Sequence, residues 1–192
     1  MCNRYRVTAA RAAVAARFGV TVIPEAENLP PPELFPKRPA WVVPRQDGQR
    51  QLDVMQWGFP FNGKAVTNVR NLQSPFWRGA LGHPERRCLV PVTHFCEWSG
   101  EKGSKKEHWF NLRDAPIFAF AGIWRPSAIG NTFAFLTCGY LGDPAAHIVG
   151  AVHEKAIPVI LQPEDEDRWL DGTYDDVCTL VQPFPSQLMA VE

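Results

Sequence analysis

The chain contains no CxxC pair, and its five cysteines, at positions 2, 88, 96, 138 and 178, form an odd set. Cys88, His94 and Cys96 have no standard zinc spacing, and His83, His108 and His147 lie scattered. The sequence therefore predicts neither a metal nor another cofactor. A chain of 192 residues does not need the disulfides that staple small secreted domains, which predicts free thiols in a reducing cytoplasm. The longest apolar runs, such as "PIFAFAGIW", fall well short of the roughly 20 residues that span a bilayer, so no membrane partner is expected. "AARAAVAARFGV" is broken by Arg11 and Arg17 and cannot serve as a secretory core. Internal repeats, low-complexity tracts and a phosphate-cradling glycine loop are also missing. Residues 1–24 have four arginines, many alanines and no acid, a composition shared with organelle transit peptides; in that reading Cys2 would be cut away.

What is present describes one globular domain over residues 1–192. Hydrophobic content of 45% and charged content of 21% are ordinary for a folded chain, and the length suits a single core. Net charge is zero but unevenly distributed: residues 1–113 hold 17 Lys and Arg against 9 Asp and Glu, and residues 114–192 hold 3 against 11. That division is what one face for a polyanion and one turned away from it would look like.

A short strand is expected over residues 3–7, then a helix from about Ala9 to Phe18, capped by Thr8, burying Val14 and Phe18 and stopped by a left-handed Gly19. Prolines at 24, 30, 31, 32, 36, 39 and 44 predict an extended surface loop over residues 24–45. From Leu52 on, "LDVMQWGF", "RCLVPVTHFCEW", "HWFNL", "IFAFAGIW", "TFAFLTCGY" and "IPVIL" have strand lengths and β-branched or aromatic enrichment. "QPEDEDRWLDG" reads as a helix with Pro163 in its first turn and Gly172 at its stop. The fold class expected is α+β, around one curved, barrel-like, mostly antiparallel sheet with flanking helices.

The chemistry begins at Cys2. Methionine aminopeptidases remove Met1 before a residue this small, leaving amine and thiol on adjacent carbons. Their pKa values, about 8 and about 8.5, supply both nucleophiles near neutrality. The amine attacks an aldehyde and the thiol closes a five-membered thiazolidine, with proximity favouring the second step. Glu97 beside Trp98, and His153 in "AVHEKAIPVIL", are candidate proton carriers. Asn68 and Arg70 in "VTNVRN" offer an amide to hold the nucleophile and a guanidinium for phosphate. Trp57, Phe59, Phe61, Phe76 and Trp77 interleave with Arg70 and Arg78, a mixture suited to stacking unpaired bases between phosphates. Of these rings only Trp57, together with Trp98, is assigned to the site.

Cys2 with Arg4, "WGFP" at 57–60, "NVR" at 68–70, "RCLVPVTHFCEW" at 87–98, "FAGIW" at 120–124, "FLT" at 135–137 and His153 before "PVIL" together resemble the SRAP family, the SOS-response-associated peptidase-like proteins that shield abasic DNA. The resemblance spans nearly the whole chain. It implies a partner, single-stranded DNA containing abasic sites, and no obligate protein partner. It also implies a covalent thiazolidine between mature Cys2 and the ring-opened sugar, autoproteolytic removal of Met1, and nucleoid association when bound to DNA. Carried over, Cys2 is the nucleophile, Asn68 positions it, Glu97 is the acid/base on the amine and in self-cleavage, and His153 contacts the opened sugar and assists proton transfer. Arg4 and Arg70 would hold phosphates, while Pro44, Trp57 and Trp98 would wedge or stack bases.

Departures from the family pattern are Asn3 for a glycine, tolerable as the next best residue for positive φ, "NLQ" after "NVR" without an acid, and "THFCEW" for an Asp-Gly-aromatic-aromatic-Glu-Trp pattern. "HEKAIP" carries one residue more than the usual His-to-Pro spacing, to be absorbed in the loop or to displace His153. Two other functions use the same residues. An N-terminal-nucleophile amidase or peptidase would show turnover on an external amide; a non-covalent single-strand-binding relic would show salt-sensitive binding without adduct.

Overall fold

The computed structural model describes residues 2–20, 29–101 and 103–192. In chain order its elements are β1 (Tyr5–Arg6), α1 (Arg11–Arg17), β2 (Glu33–Leu34), β3 (Pro39–Gln46), β4 (Gln49–Arg50), β5 (Asp53–Trp57), β6 (Phe59–Phe61), β7 (Lys64–Val66) and β8 (Asn68–Val69). There follow α2 (Pro75–Gly82), β9 (Arg87–Val92), β10 (His94–Ser99), β11 (Lys106–Leu112), β12 (Phe118–Ser127) and β13 (Gly130–Cys138). The chain ends with β14 (Ile157–Pro158), β15 (Ile160–Leu161), α3 (Glu166–Asp171), α4 (Tyr174–Leu180) and β16 (Met189–Val191).

Strands β13, β5, β3, β9 and β12 pair in that order, and β12 pairs back onto β13, with Gly122 opposite Phe135 and Ser127 opposite Gly130. The five strands thus close on themselves, which removes their free edges. All these pairings are antiparallel except β13–β5, in which Phe133 lies beside Trp57. A second, antiparallel sheet runs β16–β11–β10–β1–β2. Tyr5 joins the two: its ring lies 5.1 Å from Trp57 and 6.1–6.2 Å from Phe135 and Phe120 of the barrel. At Gly122 a Cβ would stand 2.7 Å from Val90 and 2.8 Å from the Cys88 sulfur, so β9 and β12 approach this closely only because the side chain is missing.

The aromatic stretches become strands because their rings fill the barrel. Phe120 and Phe135 sit 4.8 Å apart and Trp57 stacks on Phe135 at 5.3 Å. Tyr5 is fully buried, yet its hydroxyl has no hydrogen-bond partner among the described residues. Tyr5→Phe removes that uncompensated desolvation and is expected to stabilise the fold by about 1 kcal/mol, read as a higher denaturation midpoint with an unchanged slope.

Several expectations are corrected. Thr8 does not cap α1; its hydroxyl meets Thr93 at 3.2 Å, and Ala10 occupies the cap without a side-chain bond. Gly19 does take the left-handed turn, at φ 61°. Of the expected loop over residues 24–45, positions 24–28 lie outside the described residues, and positions 39–45 are instead most of β3, a barrel strand. Pro44 is tolerated there because its carbonyl accepts from the Gln51 N–H, so its missing donor faces the β4 hairpin beyond the last β3–β5 pair. Asn3 is not among the residues with positive φ, so no glycine is needed at that position.

The charge division between the two halves is partly cancelled inside the fold. α3 folds back so that buried Glu166 accepts from Arg17 at 2.8 Å and Arg50 at 2.7 Å, while Asp167 pairs with Arg45 and Arg50 and Asp171 with Arg45. Among the described residues no helix is long and apolar enough to cross a membrane.

Candidate active site

Strand β1 lies against β10 with Tyr5 opposite Phe95, and the Cys96 N–H donates to the Arg4 carbonyl at 3.0 Å. That register draws the start of the chain alongside Glu97 and Trp98. Cys2 is fully buried, and its thiol donates to the Arg4 carbonyl at 3.5 Å. On its other side β8 runs parallel to β13, with Asn68 beside Phe135. The Asn68 Nδ2 donates to the Cys2 carbonyl at 2.9 Å and to Thr67 Oγ1 at 2.8 Å, whereas its buried Oδ1 has no partner among the described residues. Cys2 is therefore clamped through its carbonyl as well as through its thiol.

Glu97 is 2% exposed. Its Oε2 stands 4.0 Å from His153 Nε2. His153 arrives on the connection between β13 and β14, whose ends are pinned together by the Cys138–Ile157 pair. At Gly150 this connection passes so close to the Pro144 carbonyl that no Cβ fits. It forms one wall of a cleft of about 470 Å³ that also includes Trp98, His153 and Lys155. Of Cys2, Asn68, Glu97 and His153 only His153 lines this cleft, and a cleft of similar volume, about 480 Å³, between β15 and α4 is lined by none of the four.

Burial pushes the Glu97 carboxyl up to about 7, so proton donor and acceptor forms coexist near neutrality. Burial, and secondly the Glu97 carboxylate, hold the Cys2 thiol well above its ordinary value. The same desolvation lowers His153, which favours neutral imidazole. A protonated thiol, a half-titrated carboxyl and a neutral imidazole suit stepwise proton transfer rather than a standing thiolate.

The remaining expected residues divide. Arg70 is exposed and makes no ion pair among the described residues. Trp98 is half-buried at the cleft. Arg4 is engaged by Glu33 at 2.5 Å and Glu107 at 2.6 Å, so a phosphate contact there requires displacing a carboxylate. Trp57 and Pro44 are buried, the former with its Nε1 donating to the Thr67 carbonyl at 3.2 Å, and neither presents surface to a base; their assignment to wedging or stacking is corrected. The reason is barrel closure, which turns β3 and β5 inward on this side.

Tyr140 is the residue that sequence reasoning missed. Its hydroxyl lies 2.9 Å from the His153 carbonyl and 3.3 Å from that of Ala156, bridging the connection between β13 and β14. His153 on this connection stands 4.0 Å from Glu97. A tyrosine just past a strand end carries no distinguishing sequence signal.

A closed barrel thus sets the Cys2 backbone against Asn68 and the Glu97 carboxylate 4.0 Å from the His153 imidazole. The chain belongs to the SOS response associated peptidase (SRAP) family, whose model matches residues 1–192. It is 23% identical over 183 residues to the abasic site processing protein YoaM of Bacillus subtilis (strain 168), covering 89% of this chain and 79% of YoaM. Among solved structures it resembles a protein from Bordetella bronchiseptica, with TM-score 0.79 at 21% identity over 99% of this chain and 98% of the other. A protein from Bacteroides thetaiotaomicron gives TM-score 0.79 at 22% identity over 99% and 90%. These likenesses establish the shared fold.

Proposed function

We propose that this protein captures abasic sites in single-stranded DNA as a covalent thiazolidine on Cys2. Hydrolysis of the Met1–Cys2 peptide, consuming one water and releasing methionine, frees the α-amine, with Glu97 as acid/base. The amine attacks the aldehyde carbon of the opened sugar, and Glu97 supplies the proton with which the carbinolamine hydroxyl departs as water. The thiol then adds to the imine carbon, forming the C–S bond while its proton passes to the nitrogen, a transfer that Glu97 and His153 can relay. The net change joins aldehyde and aminothiol with loss of one water. His153 contacts the sugar, Arg70 a phosphate and Trp98 a neighbouring base, and the partnerless Asn68 Oδ1 is an acceptor for the new amine.

The observation carrying this reading is the clamp of Asn68 on the Cys2 carbonyl, which steadies the residue that bears both nucleophiles beside a carboxyl titrating near 7. Family membership and the name of YoaM support the abasic-site assignment. The test uses 2-cyanobenzothiazole, which condenses selectively with 1,2-aminothiols. Pretreated protein is expected to form no adduct on an abasic strand; full adduct after complete labelling would refute the mechanism.

Tyr140→Phe tests the loop. Loss of the bridge to His153 and Ala156 is expected to slow adduct formation roughly ten- to hundredfold through misplacement of the imidazole. The stability cost should be only about 1 kcal/mol. Single-turnover rates and thermal midpoints check both; an unchanged rate would remove Tyr140 from the site.

A further inference from the structure

His153 stands on the connection between β13 and β14, so its place beside Glu97 depends on how that connection is fastened. From His147 to His153 the backbone closes a helical turn on itself. The Ala151 N–H donates to the His147 carbonyl at 2.8 Å, and the His153 N–H to the Val149 carbonyl at 2.8 Å. Val149 is fully buried and roots the turn in the core. The first N–H groups of such a turn have no carbonyl behind them to bond. His147 meets that need: the Val149 N–H donates to its Nδ1 at 3.1 Å, which makes the imidazole the cap of the turn that ends at His153.

The other ring nitrogen reaches a different part of the chain. Nε2 lies 2.8 Å from the Phe184 carbonyl, and the Ile148 N–H donates to Ser186 Oγ at 2.9 Å. Both contacts are to the segment between α4 and β16, where Phe184 is buried. The Tyr140 ring tilts against that of His147 at 5.1 Å, while its hydroxyl holds the His153 carbonyl. These bonds dictate the state of the imidazole. A backbone N–H only donates, so Nδ1 carries no proton; a carbonyl only accepts, so Nε2 carries one. His147 does not line the cleft that Trp98 and His153 line, and can reach the chemistry only through the turn.

We infer that His147 is a positioning residue for the capture reaction, a role that rests on the capture reading and deepens it: as the neutral Nε2–H tautomer it caps the turn bearing His153 and pins that turn to the segment around Phe184 and Ser186. The two bonds share one ring, so the shape of the turn and its attachment are set together. Loops move more than strands, and a displacement of about 1 Å at a reacting group costs on the order of a hundredfold in rate. Reactivity at Cys2 therefore depends on a residue and a segment outside the cleft.

The test compares wild type with His147→Ala, His147→Asn and His147→Gln in single-turnover trapping of a single-stranded oligonucleotide carrying one abasic site, over a range of strand concentrations. Alanine loses both bonds. Its maximal trapping rate should fall about tenfold at an unchanged half-saturating concentration, the pattern of lost alignment rather than lost binding. Asparagine keeps an acceptor for the Val149 N–H and glutamine extends an amide donor to the Phe184 carbonyl, so each should recover to within about threefold of wild type. Heteronuclear NMR of the wild-type ring should show Nε2 protonated and Nδ1 bare. A wild-type rate in His147→Ala would overturn the inference, as would a slow alanine variant that neither asparagine nor glutamine improves, or a ring protonated on Nδ1. Absence of any adduct from wild type would instead overturn the capture reading, and this role with it, whichever tautomer His147 shows.

Discussion

Cys2→Ala is expected to yield no heat-stable adduct on an abasic strand, a loss of at least about a thousandfold in trapping, given the effective molarities that a neighbouring thiol provides. Alanine also permits removal of Met1, so the variant keeps an α-amine at the same place, still held through its carbonyl by Asn68. It can therefore reach the imine, which water reverses. Borohydride, by reducing that imine, should restore a covalent product in Cys2→Ala and should be unnecessary for wild type. This divides the two roles of one residue: nitrogen recognises the aldehyde, and sulfur makes capture last. Because Cys2 is fully buried, the substitution also leaves a small cavity, expected to cost about 1 kcal/mol and to leave the fold intact. Undiminished heat-stable adduct from Cys2→Ala would refute the sulfur's role.

Glu97→Gln is expected to move stability and activity in opposite directions. In the fold the carboxyl titrates at about 7, against an ordinary value of 4.5, because burial disfavours the charge. Below 4.5 folded and unfolded chains both hold the proton and Glu97 adds no pH dependence. Between 4.5 and 7 the unfolded chain loses it first, so stability falls as pH rises through this window. Above 7 the full penalty, about 3 kcal/mol, is present. Glutamine has the same shape and no charge, so the variant should be more stable than wild type at about pH 8 by up to about 3 kcal/mol, on the order of 6–10 °C in midpoint, with the difference vanishing near pH 4. Adduct formation should fall on the order of a hundredfold, since glutamine neither donates nor accepts the transferred proton. A residue kept at a cost to stability is what a working acid/base group looks like. A variant less stable at pH 8 would mark Glu97 as a structural group.

The strands were legible because their rings and β-branched residues recur at strand lengths, and β5, β9, β10, β11, β12 and β13 lie where those stretches stand. Two helices that the sequence analysis passed over carried readable caps: Ser74 before Pro75 at α2, and the reciprocal box of Thr173 and Asp176 at α4. The barrel-like sheet was expected, but which strands close it was not legible, because pairing of β12 back onto β13 depends on curvature accumulated over the whole sheet. The same gap explains Trp57: an aromatic beside arginines reads alike whether its strand faces solvent or the barrel interior. For the site, the order of Cys2, Asn68, Glu97 and His153 could be read, while the contacts of Cys2 with Asn68 and of Glu97 with His153 come from β1 pairing with β10 and from the β13–β14 connection. Charge summed along the chain ignores pairings across it, such as those that α3 makes with Arg17 and Arg50.

Intact mass spectrometry of the protein after incubation with one equivalent of a single-stranded oligonucleotide carrying one abasic site puts the covalent-capture account to its most direct trial. The expected species is the chain without Met1 plus the oligonucleotide minus one water, with the link mapping to Cys2. A mass showing only unmodified protein, or a link on any other residue, would contradict it.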